Sequence, residues 1–232
     1  MHPSEPRCGG ADVRSSTPGR NTAKRSTRTL KTIEKSHDIE TIYNEPLGVS
    51  ARTWARRHGH AFPGVITVED PDQPASDLVR FEQQPPDHLV LRFVDLDSPA
   101  PSPHTGLPRF RMADEADLER ALAFGRAKSR ARLLVHCNAG IGRSTAVAFA
   151  ILADRLGPGQ EQQALDEVLR IRPQAVPNLH VVDLADRVLG RGGELVRVVA
   201  AWDAARPDNA RHRSYNRLAH FVFNSMRLDP GH

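Results

Sequence analysis

The run Leu133-Leu134-Val135-His136-Cys137-Asn138-Ala139-Gly140-Ile141-Gly142-Arg143-Ser144 constrains this chain more than any other stretch. Its start reads as a buried strand. A Gly-rich turn follows, and helix-forming sequence from Thr145 to Arg155 begins at once. A strand that turns so tightly into a helix sets its carboxyl end against the helix N-terminus, the repeating unit of α/β folds. The surroundings agree. Val65 to Val68 and Leu89 to Val94 read as further strands, with helices expected at Ala51–His58 (capped by Ser50), Glu115–Lys128 (capped by Asp114), Gln160–Ile171 and Leu179–Leu189. Gly190 suits the C-terminal cap of the last. Leu195, Val198, Val199 and Trp202 stand at helical spacing, whereas nothing from Pro207 onward gives a pattern. The expected architecture is α/β, with a mostly parallel central sheet flanked by helices and an anion-binding loop between a central strand and a buried helix. In such sheets ligands bind at the carboxyl ends of the strands.

The same loop carries the chemistry. Cys137 stands where backbone N–H groups and the helix dipole favour negative charge, and those N–H groups can equally cradle a phosphate. Arg143 adds a planar clamp for two phosphate oxygens. A nucleophile and an anion receptor within seven residues point to phosphoryl transfer through a cysteinyl-phosphate. Cysteine six residues before arginine is a weak signal in so Arg-rich a chain. The strand before it, the helix after it, His136, the two glycines and Ser144 do the discriminating. A lone cysteine after a strand is more often a small buried hydrophobe, but that does not account for an arginine opening the helix beside it.

His136-Cys137-x-Ala139-Gly140-Ile141-Gly142-Arg143-Ser144 resembles the active-site signature of the cysteine-dependent protein tyrosine phosphatases. The likeness covers residues 40–190 and fits the compact, dual-specificity-like and small bacterial members better than the large tyrosine-specific domains. The resemblance implies that Cys137 attacks phosphorus and that His136 orients the cysteine and its loop. It implies phosphate binding by Arg143 and by the amides of Asn138, Ala139, Gly140, Ile141 and Gly142. Ser144 would assist the sulfur as it leaves. The family's general acid is an aspartate on a separate loop. No Trp-Pro-Asp occurs, and the substitute is Phe93-Val94-Asp95-Leu96-Asp97-Ser98-Pro99, where Asp95, the first aspartate past the strand, is favoured over Asp97. Asn178, in Arg172-Pro173-Gln174-Ala175-Val176-Pro177-Asn178, resembles an asparagine that supports the phosphate loop and is also a suitable helix N-cap. The implied substrates are phosphate monoesters, phosphotyrosine foremost, with phosphoserine and phosphothreonine in proteins as the wider class. The loop has no lysine, which weighs against phosphoinositides. No cofactor and no metal are implied. Two rival readings are a phosphate-binding module without turnover and a rhodanese-like sulfurtransferase, whose loop is one residue shorter.

Composition bounds the rest. The chain has 232 residues, 39% of them apolar, which suits one catalytic domain with tails. Residues 1–38 are polar and basic, with Arg14, Arg20, Lys24, Arg25, Arg28 and Lys31 in a stretch without acid, and are expected to be a disordered tail. The catalytic domain is expected over 39–206, followed by a 207–232 extension. Two cysteines, one of them Cys8 in the polar tail, exclude a disulfide framework and suit a reducing compartment. No apolar run reaches the roughly 20 residues that span a bilayer. The expectation is a soluble, cytoplasmic protein with a phosphorylated substrate and no nucleic-acid or membrane partner. The net charge of +4 comes without an aromatic-interleaved basic patch. Oligomeric state is left open.

Overall fold

The computed structural model describes residues 46–71, 73–99 and 110–227, with side chains as far as residue 220. The N-terminal tail with Cys8, the expected domain start at residue 39, and Pro101, Pro103 and Pro108 lie outside the described residues. Four strands form one sheet: β1 (Leu47–Ala51), β2 (Gly64–Glu69), β3 (His88–Arg92) and β4 (Leu133–Cys137). Their order is β1-β4-β2-β3 and every pairing is parallel, so β4, which ends on Cys137, is central. Val135 is in register with Val49 on one side and Ile66 on the other.

Alternation along the strands sorts the side chains to two faces. Leu133, Val135 and Cys137 join Ile66 and Val68 in the main core, while Leu134 and Val65 pack with Ala55 and Phe62 on the opposite face. The main core is filled by α3 (Arg143–Leu156), in which every residue from Arg143 to Ala153 is buried. It packs on β4 and is surrounded by α2 (Glu115–Ala127), α4 (Glu161–Ile171) and α5 (Leu179–Leu189). Phe149, fully buried at its middle, would cost about 3–5 kcal/mol if cut to alanine. The opposite face is covered by α1 (Arg52–His58) and a single 3₁₀ turn, Gly59–Ala61. The last helices are α6 (Glu194–Ala204) and α7 (Pro207–Arg227).

Local chemistry explains several boundaries. Asp114 accepts from the Asp117 amide, and the Asp117 side chain returns the favour to Asp114 N, a capping box that starts α2. Gly190, at φ 62°, ends α5 in the left-handed conformation. Two expectations need correction, and one segment left without a reading gains a structure. Ser50 does not cap α1: it lies inside β1, a strand not anticipated, and Ala51 holds the cap position without a side-chain bond. The third strand stops at Arg92, because Val94 N turns to the Arg111 carbonyl. The segment after Pro207 is one long helix. The expected 206/207 boundary falls between groups that are bonded to each other: Asn209 Nδ2 donates to Asp203 Oδ1 at 2.7 Å.

Candidate active site

The carboxyl ends of β2, β3 and β4 bring together Asp70, Asp95 and Cys137. Arg143, the first residue of α3, joins them. Cys137 Sγ accepts a hydrogen bond from Gly140 N at 3.2 Å and lies 3.2 Å from Ser144 Oγ. Around it the loop is held by its carbonyls. Asn138 O accepts from Arg52 N, Ala139 O and Gly140 O accept from the Arg172 guanidinium, Ile141 O from Val176 N, and Gly142 O from Ala146 N and Asn178 N. Five consecutive carbonyls thus bond outward. In a trans peptide the carbonyl of one residue and the amide of the next point opposite ways. The amides of residues 139–143 therefore turn to the concave side, where Gly140 N already meets the sulfur. Arg143's own amide belongs to that set.

The two loop glycines serve different needs. Gly140 has φ 71°, and a Cβ there would lie 2.6 Å from the Ser50 carbonyl carbon, so the loop presses on β1. Gly142 has negative φ; a Cβ there would lie 2.6 and 2.7 Å from the Asp95 carboxylate oxygens. The turn does not demand this glycine, but the neighbouring carboxylate does.

Arg143 is buried. Its Nη1 donates to Phe93 O at 2.8 Å and to Asp70 Oδ1 at 3.0 Å, and its Nε stands 4.0 Å from Asp95 Oδ2. That Nε has no hydrogen-bond partner among the described residues. Burial alone would lower its pKa, but Asp70, Asp95 and Cys137 outweigh burial and raise it, so the side chain stays charged. Asp70 stands in no motif of the sequence. Its sole advance signal is its place, one residue past a strand end in a parallel sheet.

His136 points to the other face of β4. Its Nε2 lies 2.8 Å from Thr67 Oγ1, which also meets His88 Nε2 at 2.7 Å, and its Nδ1 is 3.4 Å from Cys137 O. Burial lowers its pKa to about 4, with His88 and Arg52 adding to the shift and the Cys137 carbonyl opposing it. His136 is therefore neutral at neutral pH. If Nδ1–H donates to the carbonyl, Nε2 accepts from the Thr67 hydroxyl. The ring props the strand end that carries the cysteine.

Asp95 and Asp97 have separate surroundings. Asp95 Oδ1 accepts from Asn178 Nδ2 at 2.9 Å, and the same amide group donates to Leu96 O. Asp97 Oδ1 accepts from Leu179 N at 2.7 Å, at the start of α5, and from Arg213 Nη1 at 2.9 Å. Asp95 is thus the carboxylate beside Arg143 and the loop, while Asp97 fastens the loop to α5. Asn178 fills both roles open to it. Its Oδ1 caps α5 at Val181 N, 3.0 Å away, and its backbone amide and side chain brace the cysteine loop and the Asp95 segment.

No protein-family model matches the chain, and no curated protein matches it. Solved structures do. Human DUSP28 is similar at 20% identity over 62% of this chain and 88% of that one, with a TM-score of 0.47. Tk-PTP in the active form is similar at 22% identity, over 62% and 89%, with a TM-score of 0.44. PTPMT1 in complex with PI(5)P is similar at 17% identity, over 62% and 91%, with a TM-score of 0.42.

Among the described residues there is no cluster of three His, Cys, Asp or Glu side chains able to hold a metal ion, and no helix long and apolar enough to cross a membrane. The crevice at Cys137 is lined by Arg52, Thr67, Glu69, Gln73 and Arg143 among others. Sequence reading missed Asp70, Thr67, Arg172 and Arg213. Of these Thr67 lay within an expected strand, and Arg172 in the Arg-Pro stretch before Asn178.

Proposed function

We propose that this chain is a cysteine-based phosphatase of the protein tyrosine phosphatase type, hydrolysing phosphate monoesters through a cysteinyl-phosphate. The observation that carries the reading is the outward anchoring of all five carbonyls from Asn138 to Gly142, which turns five amides toward the cysteine sulfur. Such a nest binds a tetrahedral oxyanion before any reaction and needs no rearrangement to stabilise charge in the transition state. The buried Arg143 Nε supplies a further donor.

In the first step the Cys137 thiolate attacks phosphorus and the bond from phosphorus to the leaving oxygen breaks. Asp95 gives its proton to that oxygen. In the second step Asp95, now a carboxylate, takes a proton from water, the water oxygen attacks phosphorus, and the sulfur–phosphorus bond breaks. The Ser144 hydroxyl donates to the departing sulfur. Asp70 and the Phe93 carbonyl hold the Arg143 guanidinium throughout. Phosphotyrosine in proteins, with phosphoserine and phosphothreonine, is the proposed substrate class, and the loop offers no lysine to an inositol phosphate. No cofactor enters these steps.

The test is turnover of a small aryl phosphate by the full chain and by Cys137→Ser, with and without vanadate. Turnover that vanadate blocks and Cys137→Ser abolishes, with phosphate still bound by the variant, is the expected result. Phosphate binding without turnover in the wild type would establish a binding module instead. Substantial turnover by Cys137→Ser would refute the cysteinyl-phosphate.

A further inference from the structure

The C-terminal helix reaches back to the candidate acid loop. Arg213, on α7, is largely buried and meets two carboxylates at once. Its Nη1 donates to Asp97 Oδ1 at 2.9 Å and to Pro177 O at 3.1 Å. Its Nε and Nη2 donate to Asp203 Oδ2 and Oδ1 at 3.1 and 3.2 Å, a two-pronged grip on the end of α6. Asn209, one turn earlier, donates to the same Asp203. One guanidinium therefore ties together α6, the carbonyl just before Asn178, and the segment holding Asp95 and Asp97.

The chain of contacts leads to the site. Asp97 Oδ1, held by Arg213, also accepts from Leu179 N, the first amide of α5. Asp95, two residues before it, is held by Asn178, the cap of that same helix. The Asp95 carboxylate is thus fixed at both ends of a short segment: by Asn178 directly, and by Asp97 through Arg213 and Leu179. His220 stands seven residues past Arg213 and so on the same face of α7. Burial lowers its pKa, with Asp70 and Asp95 opposing that shift and Arg143 adding to it.

We propose that Arg213 is a positioning residue for the acid step: α7 belongs to the catalytic unit and clamps the Asp95–Asp97 loop in place. The proposal rests on the phosphatase reading only for its kinetic consequence, since the clamp itself is a matter of loop structure. A catalytic group displaced by 1 Å can lose up to about 100-fold in rate. The clamp touches neither Cys137 nor Arg143, so its loss should fall on the step that needs a proton.

The test uses the full chain with Arg213→Ala, Arg213→Lys and Asp97→Ala, and with Arg211→Ala as the control, whose side chain pairs with Asp208 on the exposed side of α7. Two readouts are taken. Hydrogen exchange at the Leu179 amide should quicken by about tenfold or more in Arg213→Ala and Asp97→Ala and not in the control. Turnover of phosphotyrosine should fall about 10- to 100-fold, while an ester with an acidic leaving group, which needs no proton, should change little. Arg213→Lys, which keeps the charge without the fork, should recover part of both. Unchanged exchange at Leu179 in Arg213→Ala overturns the clamp. An equal fall for both esters overturns the acid-positioning role and leaves only a structural one. If the wild type hydrolyses neither ester, the phosphatase reading fails by itself, and the exchange measurement still decides the clamp. Should Arg213→Ala not fold, Asp97→Ala removes the same bond from the other end, and unchanged exchange there is equally fatal.

Discussion

Gly142 should refuse a side chain for a reason outside its own backbone. Its φ of −97° and ψ of −80° lie close to the right-handed helical region, which alanine tolerates. The obstacle is Asp95, whose oxygens would lie 2.6 and 2.7 Å and whose Cγ 3.0 Å from the new Cβ. Restoring ordinary contact at 3.4 Å requires a displacement of about 0.8 Å, the kind of overpacking that typically costs about 1–3 kcal/mol. The carboxylate cannot swing away freely, since Asn178 Nδ2 holds Oδ1 at 2.9 Å and that bond would lengthen or break. Gly142→Ala should therefore destabilise the protein by about 1–3 kcal/mol and lower phosphotyrosine turnover by up to about 100-fold. Urea denaturation and steady-state kinetics measure both. The deciding experiment is a double-mutant cycle with Asp95→Ala. Once the carboxylate is gone, the same Gly142→Ala change should cost less than about 0.5 kcal/mol. An equal cost in both backgrounds would refute the reasoning. Gly140→Ala provides the contrast: its obstacles are a φ of 71° and the backbone of Ser50, and removing Asp95 relieves neither.

Arg143→Lys should lower kcat/KM for an aryl phosphate by at least about 100-fold, because an ammonium cannot hold the Phe93 carbonyl and Asp70 while presenting a second donor to the ligand. His136 makes the fold acid-sensitive. Its pKa is about 4 in the folded chain against 6.5 as the ordinary value, so on acidification the unfolded chain binds the proton first. Stability is then lost as pH falls from 6.5 toward 4, by about 3 kcal/mol in all. The slope of unfolding free energy against pH in that window should be shallower in His136→Gln, and an identical slope would contradict a buried neutral ring. Asp186 accepts from Gly193 N at 2.6 Å and Leu195 N at 2.8 Å and so caps α6 from α5. Asp186→Ala should cost about 1–3 kcal/mol in thermal or urea unfolding, with little change in phosphate binding.

What could be read in advance follows the range of the interactions. The β4–loop–α3 unit was legible because cysteine, glycines and arginine lie within one contiguous run, and the strand and helix around them have unmistakable patterns. Helices α2 and α5 announced themselves through Asp114, Asn178 and Gly190, whose effects reach only three or four residues. Strand β1 was not legible: Leu47-Gly48-Val49-Ser50-Ala51 is short, carries a glycine, and runs directly into α1, so Ser50 imitated a cap. The partners of Arg143 at Asp70, of Arg172 at Gly140 and of Arg213 at Asp97 lie 73, 32 and 116 residues away in the chain. Pairings of that separation leave no local trace. Helix α7 escaped for the opposite reason, since Asn209, Arg211, His212, Arg213, Asn216 and Arg217 mask any apolar stripe. Preference for Asp95 over Asp97 rests on order along the chain; the two carboxylates differ in surroundings, Asp95 bonding to Asn178 and Asp97 to Leu179 N and Arg213.

The outward carbonyls of the Cys137–Arg143 loop also fix where its shape is encoded. Arg52 at the start of α1, Arg172 just past the end of α4, and Val176 and Asn178 from the connection to α5 all grip it from outside. None of those residues belongs to the signature. A peptide of residues 137–144, or the same eight residues transplanted between a strand and a helix of another protein, would keep the cysteine, the arginine and the serine and lose the mould that turns the amides inward. The portable unit is the loop with its three neighbours, and of the four residues that grip it from outside only Arg172 does so with its side chain, the other three lending backbone amides.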